Sequence, residues 1–156
     1  MASIARGLAD GIVAELASVI GLPELRLDAT GSAAVALDEV LVTILLDEGE
    51  SRFVLMSSLG TVDADRSEAM AALLDANLFW LQTAGGTVAR DAGTGATVLL
   101  RAMALEGLAF SVFEAAIQGF VSTAERLRAR LGATPPEPSP VDSVLRDRWQ
   151  PGMIVG

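Results

Sequence analysis

Apolar positions along the chain follow two different rhythms. Between residues 3 and 20, Ile4, Leu8, Ile12, Leu16, Val19 and Ile20 fall at the spacing of one stripe on an amphipathic helix. Ser3 is suited to cap its start; Gly21 tolerates the left-handed conformation that ends a helix, and Pro23 forbids continuation. A second helical rhythm links Phe113, Ile117, Phe120, Ala124, Leu127 and Leu131 within residues 107–131. Arg126, Arg128 and Arg130 sit near its end, where the helix dipole is negative. Between the two, Met70, Leu73, Leu74 and Leu78 form the expected buried stripe of a shorter helix running to about Asn77. Asp63 or Asp65 is its expected cap, with Glu68 completing a capping box with Asp65.

From Leu25 to Leu59 the period shortens. The runs LRLDATG, AAVALDEVLVTILLD and RFVLMSSLG, broken by turn formers such as EGES, read as a three-stranded antiparallel meander. Val35 and Leu37, then Val42, Ile44 and Leu46, then Phe53 and Leu55 alternate onto one face, expected to pack on the helices. The opposite face carries Leu41, Thr43, Leu45, Val54 and Met56, where a solvated sheet would show mostly polar residues. Either a helix or the C-terminal tail of the same chain covers that face, or it is a surface for another polypeptide. Segments near 84–90 and 96–103 read as two more strands joined by the turn DAGTG. The glycines here suit a hairpin rather than a phosphate cradle, because neither GxxxxGK[ST] nor GxGxxG occurs and the stretch has no lysine.

After Gly132 the run ATPPEPSP reads as a stiff, extended linker. It leads to VDSVLRDRWQPGMIVG, whose Val141, Val144, Leu145 and Trp149 make an adhesive tip too small to fold alone. That tip is suited to dock on the protein's own apolar patch or on a partner. The expected organisation is one domain over 1–131, with the linker and short peptide filling 132–156.

Composition narrows the function. Hydrophobic residues make up 51 % of the 156, yet no run of about 18 uninterrupted apolar residues is present to span a bilayer, so the excess is expected to be buried in protein. Asp10 and Glu15 interrupt the N-terminal apolar stretch, which a secretory signal would not tolerate, and a cytoplasmic protein is expected. The absence of Cys, His and Tyr removes thiol nucleophiles, imidazole bases, disulfides and Cys/His zinc sites. Residues 1–75 hold 13 acids against 4 arginines, while residues 76–156 hold 7 of each, so the first half accounts for the net charge of −9. Such a surface disfavours nucleic acid and anionic membrane, and favours solubility and basic partner segments. The acidic turn with Asp47, Glu48 and Glu50 lacks the ligand register of a calcium loop. Asp38 and Glu39 are neighbours in a predicted strand and point to opposite faces. No catalytic residue, metal site or cofactor is expected.

The order helix, three strands, helix, two strands, helix in a small acidic chain resembles the class I effector chaperones of type III secretion, the Tir chaperone family. Three stretches carry the resemblance: IGLPELRLDATG at the helix exit and first strand, FVLMSSLG at the third strand, and LLDANLFWLQTAGGTVARDAGTGATVLLRAM around the second helix end and the hairpin. It continues through FVSTAERLRARL and covers about residues 4–131. The resemblance implies an α+β protomer of order αβββαββα and a homodimer. It also implies a secreted effector as partner, whose N-terminal chaperone-binding segment is held largely extended and without ATP hydrolysis, and it makes the secretion ATPase a further candidate partner. The effector surface is then expected at Leu41, Thr43, Leu45, Val54 and Met56. The dimer contact is expected at Leu74, Leu78, Phe79 and Trp80, against the alternative that Phe79 and Trp80 cap the protomer's own core. A small ligand-binding or enzymatic α+β domain, using the apolar sheet face as a pocket, is the competing reading.

Overall fold

A computed structural model describes residues 3–132; the Pro-rich linker and C-terminal peptide expected from the sequence lie outside the described residues. The chain runs α1 (Ile4–Ile20), β1 (Ser32–Leu37), β2 (Val40–Asp47), β3 (Arg52–Thr61), α2 (Ser67–Ala76), a short 3-10 turn (Leu78–Trp80), β4 (Thr87–Arg90), β5 (Ala96–Ala104) and α3 (Phe110–Leu131). This is the expected α+β order. The strands form one antiparallel sheet in the order β1-β2-β3-β5-β4.

The helix boundaries follow the local chemistry. Ser3 Oγ accepts the Arg6 N–H at 3.0 Å, and Gly21 closes α1 at φ 71°. The first strand begins later than LRLDATG suggests. Asp28 Oδ1 accepts from Thr30 N, Thr30 Oγ1 and Ser32 N at 2.8, 2.7 and 3.0 Å, so its carboxylate ties this stretch into a turn, and the ladder starts only at Ser32. The long run AAVALDEVLVTILLD divides in two at Asp38 and Glu39, where Leu37 and Val40 face each other across a two-residue turn. Asp38 takes φ 53°, a conformation that aspartate tolerates better than most side chains.

Two expectations about helix faces are corrected. In α1 the residues that turn inward are Ala5, Ala9, Ile12, Val13, Leu16 and Ala17, while Ile4, Leu8 and Val19 are exposed. Alanines on the contact face let α1 lie close to its neighbours, and bulky residues on the adjacent face are left outside. In α2 the buried residues are Ala69, Leu73 and Ala76, and Leu74 and Leu78 point away from the core. Nor does Asp63 or Asp65 cap this helix: Arg66 occupies the N-cap position with no side-chain cap bond. The carbonyls of Asp63 and Asp65 instead accept the N–H groups of Arg66 and Ser67 in tight turns. The α3 stripe is as expected, with Phe113, Ile117, Phe120, Ala124, Leu127 and Leu131 all buried.

One core joins these elements. α3 packs across β3 and β2, α1 and α2 pack on α3, and α2 also meets β4. Phe113 meets Phe53 with ring centroids 5.2 Å apart, which places α3 on the face of Val42, Ile44, Phe53 and Leu55. Arginines then fasten the loops by donating to backbone carbonyls. Arg6 reaches Leu27 and Asp28, Arg90 reaches Val62, Arg126 reaches Gln82, and Arg128 reaches both Ser58 and Glu39. Arg66 reaches the Leu131 and Gly132 carbonyls at the negative end of α3. Among the described residues, no helix is long and apolar enough to cross a membrane.

Candidate functional site

Two apolar surfaces lie outside the core. The first is the outer face of the sheet, opposite α3. Strand pairing assembles it in rows: Ala34, Thr43, Met56, Leu100 and Thr87 run across all five strands, and Ser32, Leu45, Val54 and Ala102 form the next row. All five residues predicted for effector binding are thus brought together on β2 and β3. They are less open than the sequence suggested: Thr43, Leu45, Val54 and Met56 are between 3 and 6 % exposed, and only Leu41 is half-buried. Part of the reason is pairing, because Leu45 stands directly opposite Val54 and Thr43 opposite Met56 on central strands, so the side chains shield one another. Leu45, Val54 and Met56 nevertheless do not belong to the helix-backed core. The accessible part of this face is its rim, at Ala34, Ala36, Leu100 and Ala102. A cavity of about 340 Å³ opens there, lined by Arg52, Val54, Gly85, Thr87, Leu100 and Ala102 among others.

The hairpin beside this face has its own lock. Asp47, 1 % exposed, accepts the Glu50 N–H through Oδ1 at 3.2 Å, and its Oδ2 lies 3.1 Å from Arg52 Nε. Within this acidic turn the Asp47 carboxylate is therefore turned inward and paired.

The second surface surrounds the 3-10 turn. Leu74, Leu78, Phe79, Trp80 and Leu81 are between 57 and 83 % exposed, five large apolar side chains within eight residues. Phe79 and Trp80 do not cap the protomer's own core. They point outward because the turn is held at its root: Asn77 Nδ2 donates to the Val88 carbonyl at 2.9 Å, and Asn77 Oδ1 accepts the Val88 N–H at 2.7 Å. The side chain of Asn77 thus takes the place of a neighbouring strand along the free edge of β4. Phe79 and Trp80 both adopt left-handed backbone angles, φ 53° and 58°, at a cost of about 1–2 kcal/mol each for L-residues. The Gly85 N–H donates to the Trp80 carbonyl and Thr83 Oγ1 donates to the Gly86 carbonyl at 2.6 Å, which closes the loop.

A third feature escaped the sequence reading. A groove of about 360 Å³ runs between α1, α3 and the β1–β2 turn, lined by Leu16, Val19, Ile20, Leu37, Ile117 and Val121 with Asp38 and Glu114 at its margin. Its signal in the sequence is the width of the α1 apolar stripe, more than one helix contact uses.

Comparison with known proteins decides what carries these surfaces. Residues 11–128 match the model of the Tir chaperone protein (CesT) family. The chain belongs to the Tir chaperone family. It is a chaperone of the type III secretion class, and the competing reading of an enzymatic or metabolite-binding pocket gains no support. Among solved structures, the chain is 28 % identical to one in the ExsC-ExsE complex, with a TM-score of 0.71, covering 81 % of this chain and 95 % of that one. It shares its fold with a chain of the HopA1-SchA chaperone-effector complex, at 15 % identity and TM-score 0.67, covering 83 % of this chain and 99 % of the other. The same holds for the structure of the Yersinia pestis type III secretion chaperone SycH with a stable fragment of YscM2, at 19 % identity and TM-score 0.61, covering 76 % and 98 %. No curated protein sequence matches the chain.

Proposed function

We propose that this Tir chaperone family member works as a homodimer in the bacterial cytosol and holds the N-terminal chaperone-binding segment of a secreted effector in extended form, without hydrolysing ATP. The observation that carries the reading is the outer sheet face, where Leu41, Thr43, Leu45, Val54 and Met56 form a layer outside the helix-backed core whose accessible part is Leu41 with Ala34, Ala36, Leu100 and Ala102. Covering apolar area of this kind returns about 25 cal/mol per Å², which offsets the ordering of a disordered segment, and the outer edge of β1, which no other described strand pairs, offers backbone pairing. The HopA1-SchA chaperone-effector complex, which shares the fold, supports the same assignment.

Leu74, Leu78, Phe79 and Trp80 form the contact between the two copies in this reading. A patch of that size on a lone protomer would invite association, and burying it offsets the backbone strain at Phe79 and Trp80. Co-expression with effectors encoded nearby, followed by light scattering, is expected to give a complex holding two chaperone copies. Leu41→Glu with Leu100→Glu, at the accessible part of the face, should abolish effector capture while leaving the dimer, and Leu78→Glu with Phe79→Glu should give monomers. Undiminished capture by the first pair, in a folded protein, removes the outer face from the account.

A further inference from the structure

Leu45, Val54, Met56 and Val98 are buried, yet they point away from α3 and stand outside the core that the helices build on the sheet. The end of α3 delivers the chain to the margin of this face. Arg128 donates to the Ser58 carbonyl at 2.7 and 3.2 Å, so the last turn of α3 lies beside the end of β3, two residues past Met56. Gly132, one helical turn beyond Arg128, is followed by 24 further residues. As an extended Pro-rich segment, the eight residues ATPPEPSP span about 25 Å at ~3.1 Å each. Five strands are roughly 19 Å across at ~4.8 Å per neighbour. The peptide beginning at Val141 therefore reaches any strand of the sheet. It brings Val141, Val144, Leu145, Trp149, Met153 and Ile154 to that face, while Arg146 and Arg148 are balanced by Asp142 and Asp147, so apolar contact and not charge draws the peptide there.

We propose that residues 133–156 lie over the outer face of their own sheet as a resident stand-in for the client, and leave when an effector segment binds. The displacement half rests on the function proposed above; the docking half does not. The chain lacks cysteine, and among the described residues the core cluster lies between Ala5 and Leu131, so a chain ending at Gly132 keeps that cluster. With Leu100→Cys at the rim, thiol labelling in the absence of any effector should accelerate about tenfold when residues 133–156 are removed; equal rates overturn the proposal. Trp80→Phe leaves Trp149 as the sole indole. Its emission should be blue-shifted and protected from iodide, and a solvent-like emission overturns the docking without recourse to the cysteine variant. A disulfide between Leu100→Cys and Met153→Cys should form within one chain, and one formed only between chains assigns the peptide to a second copy and overturns the proposal. Adding an effector's N-terminal segment should move Trp149 emission to the red; binding with Trp149 still shielded overturns displacement. An effector that binds neither the full nor the shortened chain counts against the client reading, and the labelling rates still decide the docking.

Discussion

Replacing Asn77 by alanine tests the idea that one side chain substitutes for a missing strand. In the native chain its amide makes two bonds with the Val88 backbone, at 2.9 and 2.7 Å, and Val88 is itself buried. Alanine leaves one N–H and one carbonyl on β4 without these partners. A buried polar group deprived of its partner costs about 1–3 kcal/mol, and entry of water at this partly open edge recovers some of it, so a net loss of roughly 2–4 kcal/mol is expected. With a urea slope of about 1–3 kcal/mol per molar, that lowers the midpoint by roughly 1–2 M. The measurement is urea unfolding followed by far-UV circular dichroism, at one protein concentration because the proposed dimer would contribute to apparent stability. Asn77→Asp keeps the acceptor for the Val88 N–H but sets a carboxylate oxygen against the Val88 carbonyl, and it should rescue little. A midpoint change below about 0.3 M for Asn77→Ala would refute the assignment of Asn77 as the anchor of β4.

Other substitutions probe the sheet. Arg52→Ala strands the more buried partner, Asp47, and should cost about 2–3 kcal/mol, more than Asp47→Asn, which leaves a partly solvated guanidinium; chemical denaturation gives the order. The hydroxyl of Ser57 is buried and has no hydrogen-bond partner among the described residues, so Ser57→Ala is expected to be neutral or to stabilise by up to about 1 kcal/mol, read from the thermal midpoint. At Gly86 an added Cβ would sit 2.7 Å from the Leu100 carbonyl oxygen, so Gly86→Ala must push β4 from β5 and should lose about 1–3 kcal/mol.

Much of the architecture was legible because long periodic segments state their structure plainly. The α3 stripe from Phe113 to Leu131, the Ser3 and Gly21 ends of α1 and the inward set from Val35 to Leu55 needed only spacing. Failures came where a side chain acted on its local backbone or where two faces were both apolar. Asp28 and Asp38 made turns that looked like strand, one by accepting three hydrogen bonds and the other by adopting positive φ. In α1 the alanines won the contact face because closeness mattered more than side-chain bulk, a choice that hydrophobicity does not register. Helical spacing put Leu74 and Leu78 on the buried stripe of α2, and only the family resemblance put them at a contact between copies, since the turn that carries Leu78 outward depends on Asn77 finding Val88 eleven residues away. The members of the outer face were readable from alternation, whereas their burial depends on the whole tertiary arrangement.

The use of guanidinium groups as loop fasteners has a consequence for the conditions the molecule withstands. Every one of its 11 basic side chains is an arginine, and it lacks His, Cys, Tyr and Lys, the side chains whose ordinary titration falls between about 6 and 10.5. Within that interval, a change of grip with acidity would have to come from a partner's own side chains or from a terminal amine.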